Sequence, residues 1–132
     1  GSRDSHGPCL ESWTMLAALA QATSRVRIGS MVNAMHFRHP ALTAKMAATL
    51  DVISGGRLDL GLGAGWNLEE SEAFGIDLGT VKERLDRFEE GVEVIIRLLS
   101  QEVTVTVTRS RQVTAAPPHC TALTAPHAPP SP

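Results

Sequence analysis

The sequence has few cysteines, no block of like charge and no long hydrophobic run, and each shortage excludes a class of protein. Its two cysteines, Cys9 and Cys120, are too few and too far apart for a disulfide framework, which is typical of a reducing compartment. Twelve Lys and Arg face fourteen Asp and Glu without a basic block, so neither nucleic acid nor a charged membrane surface is favoured as a partner. The longest apolar run, Met15 to Ala20, is far too short to span a bilayer. We therefore expect a cytoplasmic protein without a membrane partner.

Periodicity predicts an alternation of helices and strands. A first helix, capped by Ser12, is followed by the strand-like stretch VRIGSMVNA, whose apolar end is expected to be buried. A second helix begins near Pro40 and stops at Gly55, and a second strand covers residues 57–65. A long helix from Val81 to Ser100 completes the series. This order is typical of right-handed βαβ units with a parallel sheet.

Each element also has a predicted buried side. These sides are Trp13, Leu16, Ala17 and Ala20, then Leu42, Met46, Thr49, Leu50 and Ile53, then Leu58, Leu60 and Leu62, and finally Leu85, Phe88, Val92, Ile95, Ile96 and Leu99. In the long helix, Glu83 with Arg87 and Glu93 with Arg97 are spaced for favourable i,i+4 ion pairs.

Composition divides the chain into three parts. Residues 1–9 are expected to be a disordered lead-in, residues 10–102 an α/β domain, and residues 103–132 a strand-like segment with a loose, proline-rich tail. The segment VTVTVTRSRQV alternates as a hairpin strand does, and residues 115–132 contain six of the eight prolines. Two strands leave sheet edges unpaired, so the domain is expected to be a fragment or to form a homo-oligomer.

Three glycines, Gly61, Gly63 and Gly65, occupy alternate positions in RLDLGLGAGWN. Their spacing lacks the G-x-G-x-x-G of dinucleotide sites and the G-K-[ST] of P-loops, so phosphate binding is not favoured. Two interpretations stay open. The glycines thin one face so that a neighbouring element packs closely, or they clear space for a flat ring at the carboxyl end of the strand.

Other polar residues offer weaker candidates for chemistry. His36 follows the first strand and is the candidate catalytic residue, whereas His39 is better explained as the start of a helix. Glu69, Glu70 and Glu72 include a possible general acid, but a solvated helix start explains them better.

A metal site is not predicted. Cys120 lies between His119 and His127, but this set lacks the usual zinc spacing and a fourth ligand. We therefore expect no metal cofactor.

Three longer stretches are more specific in combination than any glycine pattern. They are ESWTMLAALAQATSRVRIGSMV, FRHPALTAKMAATLDVISGGRLDLGLGAGWNLEE and KERLDRFEEGVEVI, within about residues 7–102. Together they resemble the bacterial luciferase-like monooxygenase family, which includes flavin-dependent monooxygenases and deazaflavin-dependent oxidoreductases. The resemblance implies a partial (β/α)₈ TIM barrel, with this chain holding strands three and four and helices two to four.

The resemblance also implies a cofactor site. In the family, the cofactor ring lies over the carboxyl ends of the strands, against a bulge that contains a non-prolyl cis peptide. The similarity places this bulge at Met31 and Val32, and a second segment that approaches the cofactor follows the next strand. The implied cofactor-binding residues are Ser30, Met31, Val32, Asn33, Ala64, Gly65, Trp66 and Asn67.

The implied function is that of an oxidoreductase which uses FMN or the deazaflavin coenzyme F-420. Such a parent protein transfers hydride or inserts oxygen on a small organic substrate, while the protein orients the ring. The motifs GAGWNLEE and RHPALTAKMAATLD slightly favour the deazaflavin-dependent branch of the family. Phosphate contacts in the family come from later strands, so this chain alone is expected to bind its cofactor poorly. The alternative is a truncated, non-catalytic barrel fragment or interaction module.

Overall fold

A computed structural model describes residues 9–100 and, beyond them, residues 106–107 and 112–113. The elements in chain order are α1 (Ser12–Ala22), β1 (Asn33–Ala34), a 3₁₀ turn (Met35–Phe37), α2 (Pro40–Ser54), β2 (Leu62–Gly63), α3 (Leu68–Ala73), α4 (Val81–Leu99), β3 (Thr106–Val107) and β4 (Gln112–Val113). Among the described residues, no helix has the length and hydrophobicity needed to cross a membrane.

A pair of parallel chain segments organises the domain. β1 and β2 pair in parallel, with Asn33 opposite Leu62, and an isolated parallel bridge joins Ile28 to Leu58. The backbone N–H of Asn33 donates to the carbonyl of Gly61 at 2.9 Å. Because α2 connects the two segments, the predicted α/β arrangement with a parallel sheet is confirmed, although the regular strands are shorter than the sequence indicates.

The start of α1 differs from the prediction. Glu11, not Ser12, caps the helix, because its carboxylate accepts the backbone N–H groups of Trp13 at 3.1 Å and Thr14 at 2.8 Å. Burial acts to raise the pKa of Glu11, but these N–H donors outweigh it and the pKa is lowered. A carboxylate with two oxygens satisfies two free N–H groups and complements the helix dipole, which one hydroxyl cannot do.

The helices and strands enclose two apolar clusters that share one residue. The first contains Trp13, Leu16, Ala20, Ile28, Ala47 and Leu50, with Leu58 and Leu60 against it. The second contains Met35, Ala44 and Ile95, with Leu60, Leu62, Phe88, Val92 and Leu99 against it. Leu60 contacts both clusters, so the alternating leucines of the second strand face the core as predicted.

The buried side of α2 is not the predicted one. Leu42 and Ile53 are exposed, and of the predicted stripe only Leu50 is fully buried. The buried residues are instead Thr43, Ala44, Ala47, Leu50 and Ser54. α2 contacts both α1 and α4, and small side chains let helices approach closely on that side while larger ones remain outside. The predicted end of α2 is confirmed, since Gly55 caps it with φ of 66°.

α4 begins with a capping box that changes one predicted ion pair. The carboxylate of Glu83 accepts hydrogen bonds from the backbone and the hydroxyl of Thr80, both at 2.7 Å. The guanidinium of Arg87 donates instead to a backbone carbonyl in the preceding loop. The Glu83–Arg87 pair is therefore not formed, because the cap takes its carboxylate, whereas the predicted pair of Glu93 and Arg97 is present.

The buried side of α4 is narrower than predicted. Val94 and Ile95 are buried, whereas Leu85 and Ile96 are exposed. Gly91 lies against the methionine of the 3₁₀ turn, where a Cβ would come within 2.6 Å of its sulfur. The turn and α2 contact only one side of α4, so the remaining apolar side chains stay outside.

Of residues 101–132, the structure describes only residues 106–107 and 112–113. β3 and β4 pair antiparallel, with Thr106 opposite Val113. The rest of residues 101–132, with the Cys120 group, lies outside the described residues, as do residues 1–8. Cys9, which is described, is an exposed free cysteine. The proposed domain limits stay a prediction.

Candidate functional site

A pocket of about 650 Å³ lies at the carboxyl ends of the two parallel segments. Seven of the nine predicted site residues line it: Met31, Val32, Asn33, His36, Gly65, Trp66 and Asn67. Ser30 and Ala64 are not among its lining residues. The fold thus brings together two stretches that are some 30 residues apart in the sequence.

The first wall of the pocket is the segment before β1. The peptide bond between Met31 and Val32 is cis, at the position that the family resemblance indicates. The Met31 side chain is 99% exposed and that of Val32 54%. The expectation that this strand end is buried is therefore wrong for Met31 and Val32, which present apolar atoms to the pocket, whereas the adjoining Asn33 is buried.

The glycines of the second strand face protein, not an open space. A Cβ at Gly61 would lie 2.4 Å from the carbonyl oxygen of Ser30, and one at Gly63 would lie 2.6 Å from a methyl of Val32. Real side chains essentially never approach so closely, so the first segment can lie against the second only where these positions lack a Cβ. At Gly61 and Gly63 the close-packing interpretation is the one that the structure supports.

Asn33 is a buried amide with half of its hydrogen-bonding capacity in use. It is 4% exposed, and its Oδ1 accepts from Nε1 of Trp13 at 2.9 Å and from the guanidinium of Arg38 at 3.1 Å. Both neighbours are obligate donors, which fixes the orientation of the amide. Its Nδ2 is buried without a hydrogen-bond partner among the described residues. Asn33, which lines the pocket, therefore has a buried N–H₂ donor that no described group satisfies.

His36 lies beside the second segment. Its Nε2 is 3.0 Å from the hydroxyl of Ser71, and this hydroxyl donates to the carbonyl of Asn67 at 2.8 Å. A Cβ at Gly65, which has φ of +89°, would lie 2.4 Å from Nδ1. Burial, followed by the positive charge of Arg87, lowers the pKa of His36. The imidazole is therefore neutral at physiological pH.

Comparison with known proteins decides the family. The family model described as luciferase-like monooxygenase matches residues 2–132. This chain belongs to that family. The resemblance stated from the sequence motifs is thus confirmed.

Individual luciferase-like relatives match over most of the chain. Pyrimidine monooxygenase RutA from Escherichia coli O7:K1 (strain IAI39 / ExPEC) is 42% identical over 88 residues, which are 65% of this chain and 26% of RutA. The structure of monooxygenase RslO1 from Streptomyces bottropensis gives a TM-score of 0.72 at 36% identity, covering 86% of this chain and 32% of RslO1.

A third luciferase-like relative was solved with a flavin. The oxygenating constituent of 3,6-diketocamphane monooxygenase from the CAM plasmid of Pseudomonas putida, in complex with FMN, gives a TM-score of 0.70 at 25% identity, covering 81% of this chain and 29% of that one. The chain thus spans about a quarter to a third of the length of these relatives.

Two predicted helix starts are confirmed in this luciferase-like chain. His39 caps α2, with its Nδ1 accepting the N–H of Ala41 at 3.2 Å. Asn67 caps α3 by accepting the N–H of Glu70 at 3.3 Å. Glu69 and Glu70 lie in the first turn of α3. No group of three metal-ligating side chains occurs within the part of the chain that the structure describes.

Several pocket residues were missed by sequence reasoning. Arg38 and Glu11 form an ion pair at 2.6 Å on the wall beside Asn33. Phe37 and Phe74 stack edge to face, with ring centroids 6.3 Å apart. These partners are separated by 27 and 37 residues, so no local pattern could indicate them, although Phe37 and Arg38 do fall within the FRHP motif.

Proposed function

We propose that the chain is part of a flavin-dependent monooxygenase and contributes strands three and four of its TIM barrel. The family match and the three monooxygenase relatives support this proposal. The position of the pocket also supports it, since ligands of parallel α/β barrels bind at the carboxyl ends of the strands. A volume of about 650 Å³ suits a small organic molecule or the ring of a cofactor.

The proposed cofactor is FMN, and the pocket residues fit its ring. A flavin ring has two apolar faces and an edge of carbonyl and nitrogen acceptors. The exposed Met31 and Val32 suit an apolar face, and the unsatisfied Nδ2 of Asn33 suits an acceptor on the edge. This buried donor is the observation that carries the proposal, because leaving it unpaired costs about 1–3 kcal/mol.

The side chains of the pocket indicate what the protein would contribute and what the flavin would contribute. A reduced flavin supplies the activation of oxygen. Asn33, held by Trp13 and Arg38, would donate a hydrogen bond from Nδ2 and so help to hold the ring. Met31 and Val32 exclude water from one side, and His36 holds a lone pair near the pocket. The name of the relative with FMN supports FMN, while coenzyme F-420 and a cytoplasmic location stay predictions.

An NMR titration of the full chain with FMN tests this proposal. Binding is expected to be weak, and the shifts should be confined to the backbone N–H groups of residues 31–36 and 64–67 and to the side-chain amide of Asn33. Two results would contradict it. One is a set of shifts that maps instead to the groove between α1 and α2, which is lined by Trp13, Ala17, Met46 and Leu50. The other is the absence of shifts up to the solubility limit of FMN.

A matched variant sharpens the titration. Asn33→Asp keeps the shape and the acceptor for Trp13 and Arg38 but replaces the donor by an oxygen. It should weaken FMN binding about tenfold or more, the effect of losing a hydrogen bond and adding a repulsive contact. Thr49→Ala, on the exposed side of α2, serves as the control and should leave binding unchanged. Equal affinity of Asn33→Asp and wild type would remove Asn33 from the site.

A further inference from the structure

The hydroxyl of Ser71 contacts both a ring nitrogen of His36 and a backbone carbonyl. A serine hydroxyl has a single hydrogen, and that of Ser71 is directed to the carbonyl of Asn67 at 2.8 Å. With its hydrogen on that carbonyl, the oxygen of Ser71, 3.0 Å from Nε2 of His36, is left as an acceptor. In this arrangement the hydrogen of the contact comes from the histidine and lies on Nε2.

The other ring nitrogen then follows from the charge state. A neutral imidazole carries one hydrogen, and with Nε2 protonated, Nδ1 has a bare lone pair. Nδ1 is buried without a partner among the described residues, and it lies against the backbone of Gly65. A hydrogen on Nδ1 would have no acceptor among the described residues, so the surroundings of both nitrogens favour the same tautomer.

Four charged groups act on the ring of His36. They are Arg84 and Arg87 from α4, Glu70 from α3, and Asp77 from the loop before α4. The two arginines lower the pKa of His36 and the two carboxylates raise it, so these groups act on the charge of the ring, whereas Ser71 contacts Nε2 directly.

We propose that Ser71 is a positioning residue that holds His36 in the Nε2–H tautomer, so that His36 offers the pocket only a proton acceptor, Nδ1. Because Nδ1 is buried, a bound group that carries an N–H or O–H donates to it only after the atoms that cover it move aside. Only this second step rests on the proposed flavin site; the tautomer is a property of the chain alone.

The tautomer can be measured without any ligand. Long-range ¹H–¹⁵N NMR spectra of the full chain, labelled with ¹⁵N-histidine and recorded at neutral pH, distinguish protonated from unprotonated ring nitrogens. The His36→Gln variant identifies the His36 signals by their loss. We expect Nε2 in the protonated range and Nδ1 in the unprotonated range. A protonated Nδ1, or averaged shifts that indicate a mixture, would overturn the proposal.

Variants of Ser71 test its part in this arrangement. Ser71→Ala removes the acceptor and should give a mixture of the two tautomers. Ser71→Cys keeps nearly the same volume with a weaker acceptor and should give a partial shift, which decides the matter even if Ser71→Ala does not fold. An unchanged His36 spectrum in the folded variant would show that Ser71 does not position the ring.

A control separates this effect from the loss of a helix contact. Thr49→Ala removes a similar bond, from a hydroxyl to the carbonyl of Lys45 four residues earlier, at 2.8 Å, and should leave the His36 spectrum unchanged. Since FMN takes no part in the experiment, failure of the flavin titration and failure of the tautomer measurement are independent results.

Discussion

The two ends of the parallel segments use their polar groups in opposite ways. At the amino ends, Arg57 donates five side-chain hydrogen bonds. They go to the carbonyls of Ala20, Thr23, Val26 and Ser54 and to the hydroxyl of Thr23, at 2.6–3.1 Å. At the carboxyl ends, Asn33 and His36 each keep a buried nitrogen without a partner among the described residues. At the amino ends the donors of Arg57 are used to join the elements, whereas at the carboxyl ends two buried nitrogens have no partner among the described residues.

The difference indicates how a pair of parallel segments joined by a helix divides stability from function. Three of the four carbonyls that accept from Arg57 lie at the ends of α1 and α2, where helices leave acceptors unpaired and the dipole favours a cation. The fourth, that of Val26, lies in the loop after α1. The opposite end is where ligands bind in such folds, and satisfying its donors internally would remove them from chemistry. Variants at the two ends should therefore affect different measurements.

The largest expected effect is at Arg57. Arg57→Leu leaves several carbonyls without donors and should lower the free energy of unfolding by about 3 kcal/mol, measured by urea denaturation. Arg57→Lys should recover only part of this loss, because an ammonium cannot reach so many acceptors at once. Arg25→Leu, at an exposed arginine nearby, is the control. A loss at Arg57 no larger than at Arg25 would contradict the assigned role of the amino ends.

A smaller loss is expected midway between the two ends, at Gly61. Gly61→Ala places a Cβ against the backbone of Ser30, 2.4 Å from its carbonyl oxygen, and should cost about 2 kcal/mol in unfolding free energy. Gly75→Ala provides the comparison, since a Cβ there meets nothing within 4 Å although φ is +65°; it should cost about 1 kcal/mol. If the two losses are equal, close approach of the strands is not what requires glycine at position 61.

A still smaller effect should appear in the pH dependence of stability. Because the pKa of His36 is lowered below its ordinary 6.5, the unfolded chain binds the proton more readily than the folded chain. Stability should thus be complete above about pH 6.5 and fall as the pH decreases towards the lowered pKa. Denaturation midpoints of wild type and His36→Gln, compared between neutral pH and mild acid, measure this. The variant should lose less on acidification, and parallel curves would contradict it.

Sequence reasoning succeeded where neighbouring residues decide the outcome. The cap at His39 before Pro40, the glycine stop after α2 and the alternating leucines of the second strand depend on residues within a few positions. It failed where contacts between elements that are distant in the sequence determine which residues are buried or which residue caps a helix. The buried side of α2 depends on how closely α1 and α4 approach, and at Glu11 two possible caps differ in how many N–H groups they satisfy.

The candidate site divides in the same way. Its two segments could be found because each carries a local motif, and the fold places seven of nine predicted residues around one pocket. The partners that determine their chemistry are far away in the chain: Trp13 lies 20 residues before Asn33, and Ser71 lies 35 residues after His36. No periodicity marks such contacts, so the unsatisfied amide and the histidine tautomer emerge only from the folded structure.

The smallest expected effect on stability is at Met31, at the carboxyl end. Its side chain is 99% exposed, so Met31→Ala should change the unfolding free energy by no more than about 0.5 kcal/mol. The same change removes apolar atoms proposed to lie against the flavin ring, so it should weaken FMN binding in the NMR titration several-fold. Met15→Ala, at a half-exposed methionine of α1 outside the pocket, should change neither quantity. A marked loss of stability in Met31→Ala would show that this methionine stabilises the fold. Unchanged FMN affinity would show that it does not contact the ligand, and either result would contradict the proposed difference between the two ends.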